Sequence, residues 1–304
     1  QKGVRRNQTL RTLPAPKRQQ AEEAMGNLSD VQRHAARTYS SVARSPWTER
    51  LARLGFAAKG VVYIIIGVLA AMAGLGIGGE TTNTKGAVQQ IGQQPFGQVL
   101  LAFVAAGLLG YSFWRIFEGV TDAENKGSDV KGLALRTGFV ASGVVHAGLA
   151  LFAIRLLMGS PASSGDQTAD WTATLMSQPF GVFLVAIAGA VAIGVGFGQF
   201  FTAHKEKFRE NLRLGQMNSS GKEWAIRAGK FGHYSRGVVF CIIGIFLIIA
   251  ARRADPSEAK GLDGALVTLS RQPYGPYLLV AVALGLVAYG AYMLVEARYR
   301  RVRL

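Results

Sequence analysis

The chain has 304 residues, of which 49% are hydrophobic and 17% charged, with 38 glycines and a formal net charge of +16. That is not the composition of a water-soluble domain, since half of the chain is apolar and the charge is sparse yet of one sign. The single cysteine, Cys241, excludes a disulfide framework and a thiolate metal site, and reads as a small packing residue.

Residues 1–46 form a polar, basic extension containing Pro14-Ala15-Pro16, without the apolar core a signal sequence requires. Ser29 or Asp30 can cap a short helix there, with Val31 and Ala35 on one face. This arm is expected on an anionic membrane surface, or docked on the face of a larger complex. Apolar stretches follow at 54–75, 98–117, 137–158, 182–201, 231–251 and 276–295. Each approaches the ~20 residues needed to cross ~30 Å of hydrocarbon. A backbone in lipid must satisfy its own hydrogen bonds, so the six stretches are expected to be transmembrane helices.

Two phrases recur along these stretches. The first is Arg53-x-Gly55-x-x-x-Lys59-Gly60-Val61-Val62, repeated as Arg136-x-Gly138-x-x-x-Ser142-Gly143-Val144-Val145 and Lys230-x-Gly232-x-x-x-Arg236-Gly237-Val238-Val239. The second is Gln94-Pro95-Phe96-Gly97, repeated at Gln178-Pro179-Phe180-Gly181 and Gln272-Pro273-Tyr274-Gly275. Such self-similarity sets the architecture: one unit of two helices, a and b, written three times. The expected organisation is the extension 1–46, repeats at 47–121, 130–205 and 222–297, and a basic tail at 298–304. Units with an even number of spans share one orientation, so an all-α membrane protein with a pseudo-threefold axis along the membrane normal is predicted.

Between helices a and b lie Gly86-Ala87-Val88-x-x-Ile91, Asp170-Trp171-Thr172-x-x-Leu175 and Gly264-Ala265-Leu266-x-x-Leu269, whose spacing predicts one or two helical turns in the interface. Pro95, Pro179 and Pro273 are expected in the first turn of helix b, where a missing N–H is harmless. Gly97, Gly181 and Gly275 suit a tight turn or a close backbone approach, and Phe96, Phe180 and Tyr274 suit headgroup depth. The phrase reads as a turn with an aromatic anchor, against the alternative of a ligand loop. Matched small residues, Gly60/Gly67, Gly143/Ala150 and Gly237/Gly244, favour close helix packing. Stripes at Ala186, Ala190, Gly194 and Gly198, and at Ala102, Ala106 and Gly110, do the same.

Counting Lys and Arg, 25 fall on the side of residues 1–53, the 118–136 and 202–230 loops and the tail, against 5 in the 76–97, 159–181 and 252–275 loops. This bias predicts a multi-pass plasma-membrane protein with both termini cytoplasmic. Anionic lipids account for the positive charge, and no nucleic-acid partner is invoked.

Together these phrases resemble a bacterial membrane family known as a domain of unknown function (number twelve-oh-six), with three tandem two-helix repeats. The resemblance covers roughly residues 47–297, implies architecture, and brings no activity with it. Mitochondrial carriers share the plan of three two-helix units, but their Pro-x-acidic-x-x-basic signature on odd helices is absent.

Ionisable residues inside spans are the default functional candidates. Lys59 and Arg236 occupy equivalent positions, with Ser142 as the third member, while Glu118 and Glu296 are equivalent, with Thr202 as the third. Arg115 lies one turn from Glu118. The helix-a cations are expected either to pair with these carboxylates at helix ends or to line a vestibule for an anion or lipid headgroup. His146 stands alone near mid-membrane, so a bis-histidine haem is not expected, and no cofactor or metal is inferred. Gly74-Leu75-Gly76-Ile77-Gly78-Gly79 follows a membrane helix, not a strand, and is no nucleotide loop. No catalytic set is visible. The expected function is that of a non-enzymatic accessory or scaffold subunit packing against other membrane proteins; the alternative is a channel or transporter for a small anion or apolar solute along the threefold axis.

Overall fold

The computed structural model describes residues 46–122, 127–160 and 167–300. The expected helix after Ser29 and Asp30, like most of the extension and the end of the tail, lies outside the described residues. Six helices are long and apolar enough to cross a membrane: α1 Pro46–Leu75, α3 Gly97–Thr121, α4 Val130–Leu157, α6 Gly181–His204, α7 Ser219–Arg253 and α9 Gly275–Tyr299. Three short helices, α2 Thr84–Gln93, α5 Gln167–Met176 and α8 Leu262–Ser270, join helix a to helix b in each repeat. Two 3-10 turns, Lys207–Asn211 and Leu214–Gln216, lead from α6 to α7.

Side-chain caps fix several helix starts. Asn83 accepts from the N–H groups of Lys85 and Gly86, Asp129 from Gly132, and Asn218 from Gly221. Each satisfies a backbone donor that has no partner within the helix.

The repeated Gln-Pro-aromatic-Gly phrase is a tight turn in all three units. Gly97, Gly181 and Gly275 donate to the carbonyls of Gln94, Gln178 and Gln272 at 2.7, 2.8 and 2.7 Å. Pro95, Pro179 and Pro273 precede helix b, contrary to the expectation that they stand in its first turn. The left-handed position is the aromatic: φ is 61° at Phe96, 60° at Phe180 and 59° at Tyr274. Proline followed by a positive φ is the pattern of a type II turn, which ordinarily favours glycine at the third position. Here the glycine comes one residue later for a steric reason. A methyl on Gly97 would stand 2.5 Å from the carbonyl oxygens of Ile91 and Gly92, and one on Gly181 or Gly275 would fall on the carbonyls of Leu175 or Ser270. The three aromatic rings are 80–84% exposed, as membrane anchors would be.

Helix b of each repeat packs on helix a of the next through the same positions. A methyl on Gly290 (α9) would stand 2.5 Å from the carbonyl oxygen of Gly60 (α1), and one on Gly196 (α6) 2.9 Å from that of Gly237 (α7). At the third contact Ser112 (α3) donates to the carbonyl of Gly143 (α4) at 2.8 Å. Two turns further on, Gly67 meets Ala283 and Gly244 meets Gly189 in the same way. The small-residue positions are therefore the seams between repeats.

Within a repeat, helices a and b differ in how they meet. A methyl on Gly55 would be 2.5 Å from Tyr111, and one on Gly232 would be 2.6 Å from Tyr289. Among the described residues nothing lies within 4 Å of a methyl on the equivalent Gly138, and its counterpart on helix b, Val195, is 40% exposed. So α1–α3 and α7–α9 are packed hairpins, whereas α4 and α6 are not packed on each other.

The core is in two parts. Towards α2 and α8 it is wholly apolar: Val62, Ile66 and Ala70 of α1, Ala150 and Ala153 of α4, and Leu279 and Ala283 of α9 are all essentially inaccessible. Ala87, Val88, Ile91, Ala265 and Leu266 cap it. Towards the opposite face lies an aromatic cluster of Phe56, Tyr111, Phe208, Tyr289 and Tyr292.

Candidate functional site

Lys59 and Arg236 lie where these two parts meet. Counting at 1.5 Å per residue, Lys59 is ~24 Å from Leu75 and Arg236 ~26 Å from Arg253, so they share a depth. Lys59 Nζ donates to the Tyr111 hydroxyl at 3.1 Å and stands 4.7 Å from the centre of its ring. Arg236 Nη1 donates to the Tyr289 hydroxyl at 2.6 Å, and its guanidinium lies 4.3 Å from the Tyr289 ring and 5.6 Å from the Tyr63 ring. Tyr63 and Tyr289 meet edge to face at 5.0 Å. Tyr63 is one helical turn from Lys59, so a single patch of phenol rings joins the two cations.

The expected pairing of these cations with Glu118 and Glu296 is not what the structure has. Glu118 pairs with Arg115 at 2.6 Å, and Glu296 pairs with Arg300 at 2.6 Å. Among the described residues no carboxylate pairs with Lys59 or Arg236. Depth explains the difference: Tyr111 and Tyr289 precede the two glutamates by seven residues, ~10 Å along helix b. Arg115 spans that distance, donating from Nε to the Tyr111 hydroxyl at 2.9 Å while Nη1 holds Glu118.

The cluster is rich in donors and poor in acceptors. The Tyr111 oxygen accepts from both Lys59 and Arg115, so its own proton must point elsewhere. The Tyr289 oxygen is used by Arg236 in the same way. Arg236 Nε is buried and makes no hydrogen bond. A cation at the centre of a membrane helix costs roughly 2.5–3.5 kcal/mol on the mildest insertion scale, and less nearer the interface. Phenol faces soften the two charges here, and no carboxylate neutralises them among the described residues.

Two histidines flank the cluster. The His146 ring lies 4.5 Å from that of Tyr111, and Nδ1 is 2.7 Å from the Ser142 carbonyl, which makes Nδ1 the donor. His233 packs between Phe208, Tyr289 and Tyr292 and meets Gln199 Oε1 at 2.5 Å. Beyond it the Glu296–Arg300 pair, 3% and 6% exposed, closes this end of the bundle, with Arg300 over the Phe56 ring at 4.4 Å. Among the described residues no group of three His, Cys, Asp or Glu side chains could hold a metal ion.

Sequence reasoning found the two cations but missed Tyr63, Tyr111 and Tyr289. The signal was present: Tyr111 and Tyr289 are equivalent, each seven residues before the repeated glutamate. Of the other expected positions, Gln94, Gln178 and Gln272 stand in the turns, far along the chain from the cations, and contribute nothing to this cluster.

The triplicated seam, the shared turn and the repeated helix pair are matched by one family. The family described as Domain of Unknown Function (DUF1206) matches residues 54–122, 137–206 and 231–300. The chain belongs to the DUF1206 family. It is also 35% identical over 257 residues to an uncharacterized protein, YxxB, of Bacillus subtilis (strain 168), covering 84% of this chain and 93% of that one. No solved structure matches.

Proposed function

We propose that this integral membrane protein is a non-enzymatic anion-binding protein whose site is the Lys59–Arg236 cluster. The observation that carries the reading is two membrane-embedded cations held by phenols, with no carboxylate partner among the described residues. A narrower form of the alternative, an open channel along a threefold axis, fits less well, because the core beyond the cations is filled by Ile66, Ala70, Ala150 and Ala153. The cyclic order of seams, first repeat to second, second to third and third to first, supports the pseudo-threefold arrangement. The charge bias supports cytoplasmic termini in a bacterial plasma membrane.

A titration of the detergent-solubilised full chain with inorganic phosphate and chloride, read by thermal unfolding, tests the site. Occupancy at a hundred times Kd stabilises by ~2.7 kcal/mol. The wild type is expected to gain stability with one of these anions, and Lys59→Met/Arg236→Met to lose that gain while still unfolding cooperatively. An equal response in both proteins, or none in either, refutes it. The accessory-subunit reading is supported by a different observation, the weak burial of α6, whose apolar window is only 22% buried.

A further inference from the structure

We propose that the anion at Lys59 and Arg236 belongs to a bilayer lipid with a compact phosphate headgroup, which enters sideways between α4 and α6 of the second repeat. This rests on the anion-binding reading and names its ligand. The second repeat differs from the other two at the positions that build the site. Where the first and third repeats place Lys59 and Arg236 it has Ser142, and where they place Tyr111 and Tyr289 it has Val195. Where they place Trp114 and Tyr292 it has Gly198, and where they place Glu118 and Glu296 it has Thr202. Every substitution removes bulk or charge from the same face of the same hairpin.

These changes leave space. Among the described residues nothing lies within 4 Å of a methyl built on Gly138 of α4 or Gly198 of α6, whereas Gly55 and Gly232 are filled by tyrosines. Val145 and Val195, on the same two helices, are 69% and 40% exposed. At the inner edge of this opening are Ser142 and His146, and the His146 ring lies against Tyr111, the phenol that holds Lys59. The opening thus leads from the lipid-facing side of the second repeat to the cation layer.

Packed side chains close the other routes. The apolar core blocks approach from the α2 and α8 face, and Phe208, Tyr292 and the Glu296–Arg300 pair block it from the other. Along the axis the described residues leave a hydrated ion no wet route, whereas a lipid is already beside the opening. Depth and charge select the headgroup. Lys59 is ~14 Å from Arg50 along α1, which sets it ~9 Å inside a ~30 Å hydrocarbon layer centred on that span. A bulky zwitterionic headgroup cannot follow to that depth, and its own cation would oppose Lys59. A phosphate monoester carries about −1.5 to −2 charges near neutrality, which balances two cations, and its oxygens suit a guanidinium and an ammonium together.

Native mass spectrometry of the full chain in mild detergent, with and without added lipid, tests this. Delipidated protein is offered phosphatidic acid, phosphatidylcholine or inorganic phosphate. One phosphatidic acid per chain is expected, bound at least tenfold more tightly than phosphatidylcholine. Lys59→Met/Arg236→Met should weaken it at least tenfold, and so should Val195→Tyr/Gly198→Trp, which restores the bulk of the first repeat. Gly148→Trp, on an open outward position of α4, is the matched control and should bind as the wild type does. Cation-dependent binding of inorganic phosphate without a preference for phosphatidic acid overturns the lipid assignment and leaves the anion site standing. Phosphatidic acid binding that survives the filled opening overturns lateral entry. A dimer, or a second membrane protein, that occupies the opening and is released by the filling variant overturns the lipid as its occupant. Binding that ignores Lys59 and Arg236 for every probe removes both readings.

Discussion

The seams between repeats make a prediction that can be worked from distances. Gly290 faces Gly60 so closely that a methyl would stand 2.5 Å from the Gly60 carbonyl oxygen and 2.8 Å from Cγ1 of Ile64. Ordinary C···O contacts begin near ~3.3 Å, so α1 and α9 would have to part by roughly 0.8 Å. Overpacking of that kind costs about 1–3 kcal/mol. Yet the equivalent seam between α3 and α4 holds a serine, Ser112, at this very position. The difference lies across the seam: the residues equivalent to Ile64 are Cys241 and Ala147, and Ser112 is the member opposite alanine. Gly290→Ser alone should therefore destabilise by about 1–3 kcal/mol, and Ile64→Ala alone by about 1–2 kcal/mol for a half-buried side chain. Together they should cost less than their sum by at least ~1 kcal/mol, because the second change removes the obstacle to the first. The assay is reversible unfolding in mixed micelles as a double-mutant cycle, with Gly148→Ala as a neutral control. Additivity within ~0.5 kcal/mol would show that the seam is not packed residue against residue.

Other consequences are checked in the same micelles. Phe180→Gly relieves a left-handed φ of 60° and should raise stability by about 1 kcal/mol, whereas Gly181→Ala should lower it because its methyl falls on the Leu175 carbonyl. Glu118→Gln leaves Arg115 beside a neutral amide at a site 1% exposed and should cost about 3–5 kcal/mol, read by thermal unfolding. Arg209 hydrogen bonds to Glu206 and holds its carboxyl below the usual value of 4.5, so its stabilisation is present above that pH and is lost as pH falls through the lower folded value. The loss should be under ~1 kcal/mol and should vanish in Glu206→Gln. Cysteines placed at residue 1 and in the 159–181 loop should label from opposite sides of the membrane, the first from the cytoplasm; labelling of the terminus from outside refutes the orientation read from the charge bias.

The six spans were legible because lipid imposes a length on apolar runs, and the seams because small residues recur at matched positions. Helix ends were less so. The apolar run at 231–251 belongs to a helix that begins at Ser219, since Asn218 caps it and Ala225, Ala228 and Gly229 pack into the protein beyond the hydrocarbon. Hydropathy follows apolar runs, and residues 219–230, with Lys222, Glu223, Arg227 and Lys230 among them, do not make one. The interfacial segments are nine- and ten-residue helices, longer than the one or two turns their apolar spacing suggested, because Ala87, Val88 and Ile91 insert into the core and do not lie on its surface. The prolines were misplaced because their missing N–H suits a turn as well as a first helical turn. The partners of Lys59 and Arg236 were misread because residue counting gives depth along one helix, whereas pairing depends on which neighbour stands at that depth. That neighbour was a tyrosine, which an ion-pair search passes over.

The divergence of the second repeat is what the electrostatics of the proposed site would require. Three identical units would place three cations in one layer of the membrane. At an effective dielectric near 20, two unit charges ~6 Å apart repel by roughly 3 kcal/mol. A third cation at position 142 would add two such terms, and a third phenol at position 195 would occupy the room in which the charges could be neutralised. Ser142 and Val195 avoid both costs, and Gly138 and Gly198 leave that side open. The seams do not relax with them: Gly143 still accepts from Ser112, and Gly189 and Gly196 still meet Gly244 and Gly237. The second repeat thus keeps the contacts at its seams while one hairpin face is emptied. The first repeat's tyrosine and tryptophan on that face would add van der Waals packing between α4 and α6 at no cost to the seams, and the proposed lipid site gives a reason for their absence.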